Sequence, residues 1–438
     1  MAASKTKPKT NGVGQLSLVE HALCPLDSRA SLGRNQAFET GYFYSNQQRQ
    51  RKRAKVQVFC PLGLAPKDEL NLWGMLALTL ASKENDGELV ATRHYILSQL
   101  GIISGTSRKG GRQYAELDAS LLRLSTVTYC NDGFYDPIRA EHRKVSFGFF
   151  SFTAPQNEDS SRAWRIAWDP VFFDLVKPVG GTLRFNFGLY SELDPASRRL
   201  FLFLSKVFSR RSTTPRLDLQ HLGIDILGYS HTTAPRNLRM KVMRAVKRLE
   251  EAGLLAQHDD HESQLLDGRY SAILHRGRDF FKVSDSSQRI ESPLLEPLRQ
   301  IGLDDRAIQR TIAKFPQRML NQWVDITLAA KERFGRSFFR KSPAAYLVDN
   351  LNHASKGTRL PPDWWHDIRK AEDRKRSKIA RAKRNVGGGS SLPEKAVASV
   401  DNLQDTIFDY FLTTGQDKEL AKANSRRFRA AAKNRKRS

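Results

Sequence analysis

The sequence contains few cysteines and no long apolar run. Cys24, Cys60 and Cys130 lie far apart, form no Cys-x-x-Cys pair and cannot all be paired within one chain, so a reducing cytoplasm fits best. The longest apolar stretch, around residues 72–81, is far shorter than the roughly 20 residues that a membrane-spanning helix needs. Residues 1–10 are basic and polar with no apolar segment after them, which predicts a disordered arm and not a secretory signal. We therefore expect a cytoplasmic protein without a membrane partner.

The sequence also lacks the motifs of two classes of enzyme that act on nucleic acids. Residues 105–111 (GTSRKGG) do not contain the Gly-Lys-Ser/Thr end of a phosphate-binding loop. No His-x-His occurs, the histidine pair with which an origin-nicking enzyme would hold its metal. Residues 258–261 (HDDH) resemble a metal site, but a solvated loop is the expected role of this string. We expect no enzyme activity, no cofactor and no metal.

Acidic residues are scarce relative to basic ones. The 72 Lys and Arg against 46 Asp and Glu give a net charge of +26 and a pI near 10.1. Such a surface favours a polyanionic partner, because binding to a phosphate backbone releases counterions, and nucleic acid is the leading candidate. Hydrophobic residues at 39% and charged residues at 27% are typical of globular proteins. With roughly 150 residues per domain, 438 residues predict two or three domains.

Two successive regions show the same predicted order of three helices followed by a β-hairpin. Apolar spacing and strand-like composition predict, for the first region, helices at 67–82, 92–101 and 111–124 and strands at 125–130, 144–152 and 163–168. They predict, for the second region, helices at 195–208, 217–229 and 234–252 and strands at 254–257, 270–274 and 280–283. Gly223 lies 122 positions after Gly101, and the VKRL of 246–249 lies 125 positions after the LLRL of 121–124. The nearly equal offsets predict two copies of one module.

This order is typical of the winged helix-turn-helix fold. The predicted fold class is α+β: two tandem winged helix-turn-helix domains, then a small α-helical domain and a basic, largely disordered C-terminal tail. Ordered structure is expected to begin near Val56. The predicted boundaries are a partly disordered N-terminal arm at 1–55, the first winged-helix domain at 56–190, the second at 191–285, the helical domain at 293–362 and the basic linker and tail at 363–438.

The helix predicted at 234–252 carries the sharpest functional signal. One face holds the apolar residues Leu238, Val242, Ala245, Val246 and Leu249, and the opposite face is cationic. An α-helix fits the DNA major groove, where Arg bonds guanine bidentately and Asn bonds adenine. The candidate base-reading residues are Arg236, Asn237, Arg239, Met240 and Arg244, and the candidate phosphate-contacting residues are Lys241, Lys247 and Arg248. A solvated basic face is the alternative, which the position of the helix as third in its module disfavours.

The corresponding helix of the first copy has mixed charge. Its predicted outward face carries Arg112, Glu116 and Arg123, with Asp118 at the margin, which disfavours strong phosphate contact. The candidate DNA-binding residues at its start, where backbone N–H groups favour phosphate, are Arg108, Lys109, Arg112 and Gln113. Dimerisation, binding of a replication partner, or a surface helix without a ligand are the alternatives for this half.

The second predicted hairpin carries further candidates for DNA contact. Arg269, Arg276 and Arg278 would reach an adjacent backbone or minor groove as wing residues do, with solvated strand charges as the alternative. The aromatic residues Phe147, Phe149, Phe150 and Phe152 could stack on single-stranded bases, but their place in a hairpin favours core packing.

Four short phrases carry a resemblance to a known family. They are residues 16–21 (LSLVEH) with 24–27 (CPLD), 98–102 (SQLGI) and 248–254 (RLEEAGL), within about 14–255. In these phrases the chain resembles the plasmid replication initiator protein A family of tandem winged-helix initiators, and residues 338–347 (FFRKSPAAYL) with 360–362 (LPP) resemble the helical tail module of such initiators. The resemblance implies a bacterial protein that binds repeated sites at a plasmid origin, promotes opening of AT-rich DNA and recruits the host initiator and replicative helicase. It also implies a homodimer through the first domain that switches to a monomer for initiation.

Three functional hypotheses follow. The leading one is a non-catalytic plasmid replication initiator that binds repeated double-stranded origin sites. A transcriptional autorepressor of the same fold would use the same chemistry. Simple repressors, however, usually obtain a second DNA-binding domain by dimerising, and not from a second, non-identical copy in the same chain. A metal-dependent origin-nicking enzyme is disfavoured by the missing histidine pair.

Overall fold

The computed structural model describes part of the chain. The described residues are 11–26, 32–33, 35–46, 48–82, 86–103, 111–155, 157, 160–177, 181–257, 262–264, 269–281, 292–372 and 374. The chain divides into two compact units, Met1–Arg384 and Asn385–Ser438, and every described residue belongs to the first unit. Most of the predicted basic linker and tail at 363–438 therefore lies outside the described residues.

The described residues combine helices with small open sheets. The strands are β1 (Gly12–Gln15), β2 (Gln36–Ser45), β3 (Arg51–Cys60), β4 (Glu88–Ala91), β5 (Thr128–Asp136), β6 (Glu141–Phe147), β7 (Phe150–Thr153), β8 (Trp164–Trp168), β9 (Thr182–Phe185), β10 (Leu217–Asp218), β11 (Glu262–Gln264) and β12 (Tyr270–Ala272). The helices are α1 (Pro66–Leu80), α2 (Arg93–Gln99), α3 (Gly111–Leu124), α4 (Pro170–Val176), α5 (Phe187–Glu192), α6 (Pro195–Phe208), α7 (Leu219–His221), α8 (Pro235–Glu251), α9 (Leu295–Ile301), α10 (Asp305–Lys314), α11 (Gln317–Phe334) and α12 (Pro343–Ser355).

Strands form well before Val56, which corrects the expectation of a partly disordered arm at 1–55. β1 pairs with β9, and β2 and β3 form an antiparallel hairpin of ten paired positions. β3 also pairs with β5, so that the sheet has the order β2-β3-β5-β6. Within β3 the charged residues of 51–53 are exposed, whereas Ala54, Val56 and Val58 are buried. The basic run therefore forms the solvated start of a strand whose apolar positions alternate inward.

One order of elements occurs twice in the structure. The first series is α1, β4, α2, α3, β7 and β8, with the sheet order β4-β8-β7, and the second is α6, β10, α7, α8, β11 and β12, with the sheet order β10-β12-β11. In the first series β5 and β6 stand between α3 and β7. The strand expected at 125–130 therefore belongs to the four-stranded sheet, and the hairpin of the first series is made by β7 and β8.

The two series share one hydrophobic core. Its buried residues run from Leu18 to Phe280 without a break at 190/191. Across that position, the ring of Phe185 lies 6.2 Å from that of Phe201. The buried Arg199 of α6 also donates to the Glu69 carboxylate of α1 at 3.0 Å. The chain is therefore packed into one core on both sides of the boundary predicted between 56–190 and 191–285.

Residues 292–372 form a helical region with its own core. Leu298, Ile308, Leu320 and Trp323 are buried there, together with Leu347 of α12. Helix also extends over 363–372, and Glu372 is buried. The expected start of the basic linker at 363 is therefore too early, because the acidic and aromatic residues of this stretch pack against the folded chain.

Candidate nucleic-acid interface

α8 is a long amphipathic helix whose apolar face is packed into the core. It begins with Pro235, where the missing N–H has no helical partner to lose. Its buried residues are Leu238, Val242, Ala245, Val246 and Leu249, which confirms the predicted apolar stripe. The π-helical turn Leu222–Ile226 packs beneath it, and a Cβ at Gly223 would lie only 2.6 Å from Leu238. This close approach fixes the helix against its domain and leaves the opposite face outward.

The outward face of α8 is cationic and open. Arg236, Asn237, Arg244 and Lys247 are exposed, and in the described part of the chain their side chains have no hydrogen-bond or ion-pair partner. Met240 is 54% exposed among them. Arg239, Met240, Met243, Arg244 and Lys247 line a depression of about 420 Å³. The face therefore combines unneutralised positive charge with an apolar patch at its centre.

The margins of α8 are held by aromatic residues. The Arg239 guanidinium carbon lies 4.7 Å from the ring centre of Tyr270 in β12, and Lys241 Nζ lies 4.9 Å from that of Tyr229. Arg239, predicted as a base reader, is thus half-buried on the flank that faces the hairpin, and Lys241 lies on the flank of the preceding turn. Both cations are positioned by stacking, which restricts their rotamers before any ligand is bound.

Arg248, near the end of α8, is less open than Arg244. Its guanidinium lies 3.4 Å from the Glu251 carboxylate, and both side chains are exposed. An exposed pair of this kind contributes little to stability. Arg248 remains available as a phosphate contact, with a carboxylate beside it.

The structure separates the three arginines that were predicted as wing residues. Arg269 lies beside Tyr270 and pairs with Asp218 at 3.4 Å, at the end of the hairpin near Arg239. Arg276 bridges to Leu255 at the other end, where it donates to the Phe208 carbonyl at 3.3 Å. Arg278 is exposed in the turn that follows. Arg269 therefore lies at the end of the hairpin that is next to α8, whereas Arg276 and Arg278 lie at the other end.

α3 takes the place of α8 in the first series, but its surface is different. Arg112 pairs with Glu116 at 3.1 Å, and Lys67 of α1 also contacts the Glu116 carboxylate. Gln113 is half-buried. The candidate residues Arg108 and Lys109 lie outside the described residues. Among the described residues, Arg112 at the start of α3 is thus paired with a carboxylate of its own helix.

Arg123 does not lie on the outward face of α3, which corrects the sequence prediction. Its side chain is only 19% exposed and donates to both oxygens of the buried Asp68 carboxylate, at 2.6 and 2.8 Å. α3 packs against α1, so the position faces a carboxylate that sequence periodicity alone does not reveal. Arg93 pairs in the same way with Asp118 at 2.7 Å.

The remaining candidate features have structural roles or lie outside the described residues. Phe147 and Phe149 are buried in the core, so they are not an open stacking surface. Among the described residues no three metal-ligating side chains come together, and the string at 258–261 is outside them. No helix of the described chain is long and apolar enough to cross a bilayer.

Three residues of the interface were missed at the level of sequence. Met243 lies three positions after Met240 and lines the same depression, a spacing that could have identified it. Tyr229 and Tyr270, which hold Lys241 and Arg239, are far from them in sequence. Only the packing of the turn and the hairpin beside α8 brings them into contact.

Comparison with known proteins adds one structural likeness. No protein-family model matches the sequence, and no curated protein matches it. The chain is similar to a crystal structure of domains 2 and 3 of RctB, with 15% sequence identity and a TM-score of 0.39, over 60% of this chain and 96% of that chain. A likeness of this size leaves the function to be inferred from the α8 surface itself.

Proposed function

We propose that the chain is a non-catalytic plasmid replication initiator that binds repeated duplex sites sequence-specifically. The two series of elements are tandem winged helix-turn-helix domains, and α8 is the recognition helix of the second. The observation that carries the proposal is the open cationic face of α8, opposite its buried stripe and third in its helix order. The proposed initiator uses no cofactor, and its principal partner is double-stranded DNA.

The dimensions of α8 suit the major groove. A 17-residue helix is about 25 Å long, and its width with side chains is close to the roughly 12 Å of the groove. Arg236 and Arg244 are eight residues apart, about 12 Å along the axis, which corresponds to three or four base pairs. Met240 lies between them and would meet an apolar base edge such as a thymine methyl group.

The first series has a different part in the proposal. The ion pairs of Arg112 and Arg123 leave α3 with less free positive charge than α8. We assign the duplex specificity to α8 and the homodimer contact to the first domain, with the host initiator and replicative helicase as further partners of an initiator. The resemblance in sequence phrases, and not the geometry, suggests these protein partners.

Substitution of the unpartnered arginines tests base reading. Duplexes selected from a random pool by the full chain are compared by titration with Arg236→Ala and Arg244→Ala. Each variant should lose about 1–3 kcal/mol of discrimination at one base position, the two positions being three or four base pairs apart. Arg248→Ala is the matched control on the same helix, and it should weaken binding evenly on all sequences. Even weakening by Arg236→Ala and Arg244→Ala as well would contradict base reading.

The arrangement of the bound sites separates initiator from repressor. Footprinting on the plasmid's non-coding DNA should show protection of several direct repeats. A single palindrome at the chain's own promoter would instead indicate a repressor. Incubation with supercoiled origin DNA and divalent metal should leave the DNA uncut, and strand scission would overturn the non-catalytic assignment.

A further inference from the structure

A cluster of partly exposed aromatic residues lies on the helical region. Phe334 ends α11, and Phe338 lies in the 3-10 turn Arg336–Phe338. Their ring centres are 5.0 Å apart with an interplanar angle of 17°, so the two rings stack. Trp364 stands edge-on to Phe334 at 5.2 Å. Phe334 and Phe338 are each 37% exposed, so the stacked pair is accessible to solvent.

The backbone holds this pair outward. Gly335 separates the two elements with φ 72° and ψ −170°, a conformation that residues with a Cβ rarely adopt. The sharp turn brings Phe338 back beside Phe334 only four positions later. Below the pair, Phe339 is buried and packs on Tyr346 at 5.4 Å. The exposed rings therefore rest on a packed base and are not a loose loop.

Positive charge surrounds the rings. Arg333 lies 5.2 Å from the centre of the Phe334 ring, and Arg336, Arg340 and Lys341 are exposed. In the described part of the chain those last three side chains have no hydrogen-bond or ion-pair partner. The one acidic residue between 331 and 341 is Glu332, whose carboxylate accepts a hydrogen bond from Ser160 at 2.7 Å. The cluster thus joins two stacked rings to four cations within nine residues.

We propose that this aromatic-basic cluster, made of Phe334, Phe338 and Trp364 with Arg333, Arg336, Arg340 and Lys341, binds single-stranded DNA. Exposed rings stack on unpaired bases of any sequence, and arginines beside them follow the phosphates. In a duplex the faces of each base are covered by the neighbouring bases, so the rings could not stack on them. The cluster therefore takes a strand that is already open, and it does so independently of α8.

A membrane surface is the other polyanion that aromatic and basic residues contact. Interfacial anchors insert apolar side chains about 5–10 Å into the headgroup region. Phe334 and Phe338 are mostly buried and stacked on each other, so they present shallow faces and not projecting anchors. The geometry favours a flat, stacking ligand over a bilayer.

The test uses the full chain and a labelled oligothymidylate of about 16 nucleotides, which α8 cannot read as duplex. Excess unlabelled duplex is present throughout. The double variant Phe334→Leu/Phe338→Leu keeps apolar volume but removes both rings, and it should bind the oligonucleotide about tenfold more weakly. Arg336→Glu/Arg340→Glu should also weaken binding and should lower the slope of log affinity against log salt by about 1.4.

Two controls separate this proposal from the duplex function. Arg306→Glu, an exposed cation on α10, should leave oligothymidylate binding unchanged. Arg236→Ala/Arg244→Ala should alter duplex discrimination alone, so that either activity can fail without the other. A midpoint of thermal unfolding equal to that of the wild type would show that the Phe334→Leu/Phe338→Leu variant is folded.

Three outcomes would overturn the proposal. One is wild-type oligothymidylate affinity in the folded Phe334→Leu/Phe338→Leu variant. Another is equal loss of that affinity in Arg306→Glu. The third is binding of the cluster to vesicles of anionic phospholipid, lost in the ring variant, with no binding to the oligonucleotide.

Discussion

His21 is a buried histidine that the fold keeps neutral. Its Nδ1 donates to the Ala22 carbonyl at 2.9 Å, and its Nε2 accepts from the Tyr129 hydroxyl at 2.9 Å. The ring also stacks with those of Tyr42 and Tyr129, each 5.7 Å away. Burial, and then the nearby positive charge of Arg199, lower the pKa of His21 from 6.5 to about 4. In the folded chain, His21 is therefore in its neutral form at neutral pH.

This histidine should make the fold sensitive to acid. Between about pH 6.5 and 4 the unfolded chain binds a proton at His21 and the folded chain does not, so the free energy of unfolding falls as the pH falls through this window. The shift corresponds to at most about 3 kcal/mol. Urea unfolding at pH 7 and pH 5, which covers part of this window, should show a loss of about 2 kcal/mol, and His21→Gln, which can keep both hydrogen bonds, should show a smaller one.

Other groups that titrate in this range are common to both proteins, so the difference between their pH profiles isolates His21. Parallel profiles for the wild type and His21→Gln would show that His21 is charged when folded.

α3 and α8 occupy the same place in the two series but have opposite surface chemistry. Arg112 and Arg123 of α3 each pair with a carboxylate, whereas the side chains of Arg236 and Arg244 face solvent without a partner in the described chain. A cation that already has a carboxylate partner releases fewer counterions on binding DNA. The asymmetry between the two helices, and not their shared fold, decides which one is expected to read bases.

Arg112→Ala tests that asymmetry. An exposed ion pair contributes only about 0–1 kcal/mol, so the change should lower the free energy of unfolding by no more than about 1 kcal/mol. The affinity for a selected duplex should stay within about threefold of the wild-type value. Arg244→Ala, at the outward face of α8, is the comparison in the same titration. A loss from Arg112→Ala as large as that from Arg244→Ala would make α3 a second reading helix.

Some secondary-structure elements could be predicted from the sequence and others could not. The limits of α8 and its stripe follow from five apolar residues at helical spacing, a pattern that needs no distant partner. β2 and β3 were missed because the basic start of β3 resembles a linker, and because the second partner of β3 is β5, some 70 positions on. The face of Arg123 was misassigned for the same reason: its partner Asp68 lies on another helix.

At the scale of the whole molecule, the helical region covers the hairpin of the first series. Arg162, between β7 and β8, is only 4% exposed. Its guanidinium donates to Asp325 of α11 at 2.7 Å and to Glu372 at 2.6 Å. The indole of Trp365 also donates to Asp325 at 2.7 Å, and Arg369 donates to the Thr153 hydroxyl of β7 at 2.9 Å.

This contact gives the two hairpins different surroundings. The hairpin of the first series is in contact with protein through Arg162, whereas Arg269 of the second is exposed beside α8. The partners of Arg162 lie 163 and 210 positions away, so no local pattern could predict them.

Arg162→Ala should release the helical region from the first series. The change removes the cation that pairs with Asp325 and leaves the buried Glu372 with Arg369 alone, at 3.6 Å, and breaking a buried pair costs up to about 3–5 kcal/mol. Hydrogen exchange should become faster in residues 150–168 and 363–372, while α8 keeps its protection. Arg318→Ala, which removes an exposed pair with Asp86 at 3.8 Å between the same two regions, should change neither segment.

A compensated variant distinguishes loss of the pair from loss of packing. In Arg162→Met with Asp325→Asn and Glu372→Gln no charge is left buried, so most of the protection should return even though every ion pair of the cluster is gone. If the triple variant exchanges as fast as Arg162→Ala, the contact depends on the geometry of the ion pairs themselves. If Arg162→Ala exchanges like the wild type, the apolar packing around Trp365 is sufficient to hold the helical region on the first hairpin, and the charge cluster is not what joins them.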